Sequence, residues 1–336
     1  MNYEILQKLV NKELLDVSAF EKFFNQIVEM EVPESVISSF IFGLTQKGLD
    51  SDELISLALA MNNYTNQLAF DDEDIVGCIG TGVDNSYTFN ITTCSALTAS
   101  ACGVKIAKKI KNSLNATNSS ASFLKELGIP VFTNFSDIKQ QFNSTDICFF
   151  DAGLVNNIDV VFNTIRKELN FHTLFDITDA IIHPRAITHL MLGTAYPEMA
   201  EAMVAYLNKT GIKRAIVVNA QNPLFDEISI CSETTIYELN HGVVEKYEIT
   251  PDEFGIKRAD ILSLRGATSK YNASLALDIF SGKIKDSKLD VVAMNAGAMV
   301  YLSGKARNYL EGVIKAYTAI DKGLVLEKIQ NLRNSL

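Results

Sequence analysis

Gly80-Thr-Gly-Val-Asp84, then Thr88-Phe-Asn-Ile-Thr-Thr93, then a run of small residues from Cys94 to Cys102: this order of residues decides the fold. Two glycines in a tight turn let backbone N–H groups come close to an anion, because no Cβ stands in the way. Asn90 to Thr93 add an amide and two hydroxyls where a helix is expected to begin. A helix N-terminus carries unpaired N–H groups and partial positive charge, which makes it a natural phosphate seat. A Gly turn alone is common. A Gly turn, a hydroxyl cluster and a helix start in close succession are a much stronger phosphate signal.

Outward from that stretch, short apolar runs alternate with amphipathic segments. Ile75–Ile79, Val104–Ala107, Ile147–Phe150, Ala215–Val218 and Val291–Met294 read as buried, largely parallel strands joined by helical crossovers. Residues 241–249 read as an edge hairpin, and 156–190 as helical with polar punctuation. No strand signal appears before residue 75. Ile5, Leu6, Leu9, Val10 and Leu14 recur at helical spacing through residues 3–16. Ser18 with Glu21 resembles a capping box for a second helix, Pro33 and Gly48 bracket a third, and Asp50 with Glu53 starts a fourth. The expected class is therefore α/β: a small helical N-terminal domain beside a larger α/β domain with a mostly parallel central sheet. The helical domain is expected over 1–70, with a return of about 156–190, and the α/β domain over 74–155 and 191–336.

Composition narrows the function. The chain has 336 residues, 47% of them hydrophobic and 21% charged, in the range of ordinary globular proteins. No apolar run is long enough for a membrane span, and Met1-Asn-Tyr-Glu-Ile5 lacks the basic and apolar parts of a secretion signal, so a cytoplasmic location is expected. Five scattered cysteines without a CxxC pair fit reduced, mostly buried thiols rather than a disulfide framework or zinc site. A net charge of −10 speaks against nucleic acid or anionic membrane as a partner. The four histidines lack metal spacing.

With those residues in view, the chain resembles the anthranilate phosphoribosyltransferases, which join the ribose of phosphoribosyl pyrophosphate (PRPP) to anthranilate in tryptophan biosynthesis. Gly80-Thr-Gly-Val-Asp84 is similar to the family's GTGGD, and Thr88-Phe-Asn-Ile-Thr-Thr93 to its TFNIST. Ala101–Lys108 matches ACGVxVAK, Phe225–Ser229 matches LDEIS, and Tyr247–Gly255 is close to a full family signature. Asn295-Ala-Gly-Ala298 matches NAAA, and the likeness runs from about residue 1 to 330. The resemblance implies the nucleoside phosphorylase and phosphoribosyltransferase fold, a homodimer formed through the helical domain, and a magnesium cofactor.

It also implies roles for single residues. Gly80, Gly82, Val83, Asp84, Thr88, Asn90, Ile91, Thr92 and Thr93 would seat PRPP, with Lys111, Ser113 and Ser120 on the loop beside it. Thr92, Asp226 and Glu227 would hold magnesium. Lys108, Asp226 and Glu227 would be catalytic, and Arg166 would meet the acceptor carboxylate, a bidentate role suited to guanidinium. Arg166 could equally belong to a plain charged helix face, and Asp226-Glu227 to solvated surface charge that adds little to the core.

The departures from the family pattern fall on ligand-facing motifs. The KHGNRSVSS loop reads Lys108-Lys-Ile-Lys-Asn-Ser-Leu-Asn-Ala116, so Ile110 replaces a glycine and Lys111 an acceptor-contacting Asn. Thr117-Asn-Ser-Ser120 stands for KSGS, Leu154-Val-Asn-Asn157 for the histidine-containing acceptor loop, and Asp179–Arg185 for GPLxNPA. Val83 stands where the family has glycine, and a side chain there is expected to crowd the pyrophosphate. Lys109 and Lys111 are expected to add positive charge to the site. Three readings stay open: magnesium-dependent phosphoribosyl transfer to an aromatic amine, a non-catalytic homologue binding a phosphate-containing ligand, and a nucleic-acid-binding branch disfavoured by net charge. Because several acceptor contacts are changed, anthranilate is expected to be a poor substrate.

Overall fold

The computed structural model describes residues 4–66, 68–70, 74–110 and 119–335. Four helices come first: α1 (Glu4–Val10), α2 (Val17–Val28), α3 (Glu34–Lys47) and α4 (Ser51–Asn62). Asp16, not Ser18, caps α2 by accepting from the Ala19 N–H at 2.8 Å, so the second helix starts a little earlier than its apparent capping box. Pro33 caps α3, Gly48 closes it at φ +76°, and Asp50 caps α4 by accepting from the Glu53 N–H. The Glu53 carboxylate turns inward instead, onto the Leu15 N–H and Lys47. α1 ends at Val10, so Leu14 is exposed rather than part of the first helix.

The rest alternates strand and helix: β1 (Ile75–Gly80), α5 (Ile91–Ala101), β2 (Ile106–Ile110), α6 (Ser120–Glu126), α7 (Phe135–Thr145), β3 (Ile147–Asp151), α8 (Asn157–Leu169), α9 (Phe175–Ile181), β4 (Ile187–Gly193), α10 (Ala200–Lys209), β5 (Arg214–Gln221), β6 (Leu224–Phe225), β7 (Thr234–Asn240) and β8 (Val243–Ile249). Four helices close the chain: α11 (Ser269–Phe280), α12 (Ser287–Leu302), α13 (Tyr309–Asp321) and α14 (Leu324–Arg333). One sheet runs in the order β3-β2-β1-β4-β5-β7-β8, with β6 paired to β5. β3, β2, β1, β4 and β5 are parallel; β7 and β8 add an antiparallel hairpin whose last strand is the exposed edge.

Two expectations about elements are corrected. Val291–Met294 is not a strand: it lies inside α12, a helix buried on nearly every side, and a short apolar run has the same pattern in either element. Residues 187–190 are not helical: they open β4, a central strand whose polar Thr188 and His189 disguise its apolar character. The second strand is also displaced, to Ile106–Ile110 instead of Val104–Ala107.

Alternate residues of each strand enter opposite cores, as the pleat requires. Ile75, Ile79, Leu190, Leu192 and Val217 face a core shared with α1–α4 and α7–α10. Val76, Cys78, Met191, Ile216 and Val218 face a second core with α5, α6 and α11–α14. Within the first core, Phe162 of α8 packs against Phe24 and Phe40 of the N-terminal helices and Phe175 of α9 against Phe40, ring centroids 5.6–6.2 Å apart, while Phe162 and Phe175 lie 4.5 Å from each other. Leu154–Asn157 ties the same parts together: the Asn156 side-chain amide donates to the Met61 carbonyl at 2.6 Å, and Asn66 N–H donates to the Val155 carbonyl. The site therefore lies where the carboxyl ends of the parallel strands meet helices anchored in the N-terminal bundle.

Candidate active site

β1 delivers Gly80 to Asp84 to the carboxyl edge of the sheet, the usual place for ligands in open α/β folds. Gly82 takes φ +74°, which turns its N–H onto Asp226 Oδ2 at 2.6 Å. Asp226 arrives from β6, after β5 reverses at Asn222-Pro223. It packs so tightly that a Cβ on Gly193 would meet the Asp226 carbonyl oxygen at 1.5 Å. A Cβ on Gly80 would meet Asp226 Oδ2 at 2.6 Å. The end of β4, which the sequence pattern does not announce, is thus shaped around the Asp226 backbone and the end of β1 around its carboxylate, and the adjacent run Gly193-Thr-Ala195 is the signal that points to it.

Glu227 reaches the start of α5. Thr92 donates to Glu227 Oε1 twice, from its N–H at 3.1 Å and its Oγ1 at 2.6 Å, so the carboxylate caps the helix whose cap residue, Asn90, makes no side-chain cap bond. Asn90 is instead held by Asn272, whose Nδ2 donates to Asn90 Oδ1 at 3.1 Å. Asn272 is buried on α11, and no local motif in the sequence marks it. Asp84 accepts from the Ser86 N–H at 3.1 Å and lies beside Asp226, whose N–H donates to its Oδ2 at 3.4 Å. Asp226 and Glu227 are both buried, not solvated. Burial, then the Asp84 charge, raises the protonation range of Asp226; burial, then the Asp226 charge, does the same for Glu227.

Lys108 is buried on β2 and donates to the Cys78 carbonyl at 2.9 Å. Lys109, on the same strand, bonds the Ile182 carbonyl at 2.8 Å and pairs with Asp179 at 3.4 Å, so its charge is matched within the chain. Ser120 opens α6 beside the capping Ser119. Arg166, on α8, donates from Nη1 to Asn163 Oδ1 at 3.0 Å and from Nη2 to Asp176 Oδ1. It is a buried ion-paired residue, not an exposed helix charge. Lys111 and Ser113 lie outside the described residues.

One cavity of about 920 Å³ joins these groups. Its lining includes Gly80, Gly82, Asp84, Thr88, Asn90, Ile91, Thr92, Thr93, Lys108, Ser120, Asp226 and Glu227 at one end, and Lys109, Arg166, Asp176 and Asp179 at the other. Val83 is half-buried, does not line the cavity and has no positive φ, so its side chain neither crowds the ligand space nor strains the turn. Ile110, the other replaced glycine, sits at a buried strand position that suits a β-branched residue.

Known proteins resemble this chain along nearly its whole length. Residues 3–65 match the helical bundle domain of the glycosyl transferase family, and residues 72–326 match its a/b domain. This fold and site therefore define a glycosyl transferase of the two-domain type. An anthranilate phosphoribosyltransferase of Brevibacillus brevis is 33% identical over 334 residues, covering 99% of this chain and 97% of the relative. One from Desulfosudis oleivorans is 32% identical over 329 residues, covering 98% and 97%. The crystal structure of anthranilate phosphoribosyltransferase from Thermus thermophilus matches with a TM-score of 0.88 at 25% identity over 98% of both chains. The Saccharomyces cerevisiae enzyme in complex with PRPP and Mg shares the fold, with a TM-score of 0.81 at 24% identity over 90% of this chain and 85% of its own. The chain belongs to the anthranilate phosphoribosyltransferase family.

Proposed function

We propose that the protein transfers the phosphoribosyl group of PRPP to an aromatic amine, anthranilate or a related compound, with magnesium. The observation that carries the reading is the meeting of Asp226 and Glu227 with the Gly80–Asp84 turn and the α5 N-terminus in one cavity, with Lys108 beneath it. The ribose phosphate would sit at the first turn of α5, held by backbone N–H groups and by Asn90 and Thr93. Asp84 would accept from a ribose hydroxyl.

Three carboxylates, Asp84, Asp226 and Glu227, meet in a buried place that raises the protonation range of two of them, an arrangement a divalent cation relieves. Among the described residues no group of three or more His, Cys, Asp or Glu side chains is placed to hold a metal ion by itself. Magnesium keeps waters and takes one or two carboxylates plus substrate phosphates. Asp226, Glu227 and Thr92 would hold it, and when bound it would neutralise the departing pyrophosphate. Lys108 would add a fixed positive charge near the same leaving group. The protein's main task is then to hold the amine in line with the anomeric carbon while an oxocarbenium-like ribose forms.

No described helix is long and apolar enough to cross a membrane. Exposed Val10, Leu14, Val28, Met30 and Phe42 on the N-terminal bundle support a homodimer through that domain. Titration calorimetry with PRPP and magnesium, beside a pyrophosphate-release assay over a panel of aromatic amines, tests the function. Magnesium-dependent PRPP binding with release supports it. Equal PRPP binding in EDTA, or no release with any amine, sinks it.

A further inference from the structure

The geometry points to Asn272 as a positioning residue for the PRPP end of the cavity: it turns the Asn90 amide so that the NH2 group, not the oxygen, faces the phosphate; this rests on the phosphoribosyl-transfer reading. Asn90 is half-buried and lines the cavity where α5 begins. Asn272 is fully buried on α11, and a backbone group settles its own orientation. The Ala267 N–H, which can only donate, bonds Asn272 Oδ1 at 2.9 Å. The other end of that amide is therefore Nδ2, and it donates to Asn90 Oδ1 at 3.1 Å. Asn90 is left with its two N–H donors for the cavity. Turned by half a rotation, the same side chain would set an acceptor oxygen against an anion.

The surrounding contacts fit this role. An Asn at the start of a helix ordinarily spends its oxygen on the N–H groups of the first turn. Here Glu227 takes the Thr92 N–H instead, which releases the Asn90 oxygen to Asn272. Asn272 itself sits in the first turn of α11, its N–H donating to the Thr268 carbonyl at 2.9 Å, and Thr268 caps that helix from its side chain. The segment leading into α11 pairs with the residues before Asn90. Phe89 N–H donates to the Leu264 carbonyl at 3.2 Å, and Gly266 N–H to the Tyr87 carbonyl at 2.9 Å. A Cβ on Gly266 would meet the Phe89 backbone at 2.8 Å, so the two segments lie flush. A donor fixed in this way needs no reorganisation when the ligand arrives.

The test is a double-mutant cycle on the full chain, read by calorimetry with PRPP and magnesium. Asn90→Ala should weaken PRPP binding by about tenfold or more, the scale of a lost hydrogen bond to a charged group. Asn272→Leu, which keeps the volume but not the donor, should weaken it by about three- to tenfold and raise the KM for PRPP, not that for the acceptor. Introduced into Asn90→Ala protein, the same change should cost less than about twofold. Additive losses would overturn the inference, because a residue that only supports the fold costs as much in either background. Asn90→Asp probes the orientation and leaves Asn272 in place. It keeps an oxygen for Asn272 Nδ2 but replaces the donors with an acceptor, so its PRPP affinity should fall below that of Asn90→Ala. Wild-type affinity in a folded Asn90→Asp variant would overturn the inference, and this arm stands if Asn272→Leu fails to fold. A wild-type protein that binds no PRPP would count against phosphoribosyl transfer, and the same variants titrated with inorganic phosphate would then decide Asn272. Absence of phosphate binding as well would overturn both.

Discussion

Buried carboxylates in contact hold their protons more firmly than exposed ones, and this changes what removing them does. Asp226→Asn with Glu227→Gln should lower turnover by about two orders of magnitude or more, because groups aimed at transition-state charge contribute on that scale. Stability without magnesium should not fall at neutral pH, since the change removes repulsion and leaves an amide oxygen on Thr92. Thermal unfolding in EDTA beside a pyrophosphate assay checks both; a large loss of Tm would make the pair structural. His189 answers to pH in the opposite sense. Burial on β4 lowers its pKa from 6.5 to about 4, with Asp74 opposing the shift and Arg214 and Lys213 adding to it. The unfolded chain then binds the proton more readily than the folded one, so the contribution is full above pH ~6.5 and is lost as pH falls towards ~4. Allowing for screening, about 2 kcal/mol is at stake. Urea unfolding of wild type and His189→Gln at pH ~7 and ~4.5 should show the wild type losing more stability on acidification; parallel losses would rule the residue out.

At the scale of elements, what could be read from the sequence was whatever local chemistry dictates. The Gly82 turn, the Asn90–Thr93 helix start and the Asp50 cap are local devices, and each stands where its residues place it. β4 was hidden because a strand paired on both edges and buried on both faces need not alternate, and Thr188-His189 breaks its apolar run. Val291–Met294 misled for the converse reason, since α12 buries every side of those turns. Likewise, no spacing rule links Arg166 to Asp176 or Asn90 to Asn272; those partners come from different elements and only tertiary packing selects them. Gly193 shows how strict that packing is. Gly193→Ala must push Asp226 away, because backbone stands where the Cβ would go. The expected result is loss of magnesium-dependent PRPP binding with the circular dichroism spectrum retained. Unchanged affinity would mean that the turn after β6 shifts without consequence for the site.

The whole molecule divides its labour between the sheet, which presents the PRPP end of the cavity, and the helices anchored in the N-terminal bundle, which present the acceptor end. Phe162 is the joint. It is fully buried against Phe24, Phe40 and Phe175, and it lies one helical turn before Arg166 on α8, so both side chains share a face. Phe162→Ala opens a cavity in an aromatic cluster and should cost about 3–5 kcal/mol. The loss should be uneven in function, because α8 carries Arg166 and Asn163 but none of the PRPP-end groups. KM for the acceptor should rise while PRPP affinity hardly changes. Phe162→Leu, which keeps most of the volume, should retain both. Steady-state kinetics with each substrate varied, beside calorimetry with PRPP and magnesium, separates the two ends. A parallel loss of PRPP affinity and acceptor use in a folded Phe162→Ala variant would show that the bundle supports the whole cavity. An acceptor KM equal to that of the wild type would show that Arg166 keeps its place through Asp176 alone.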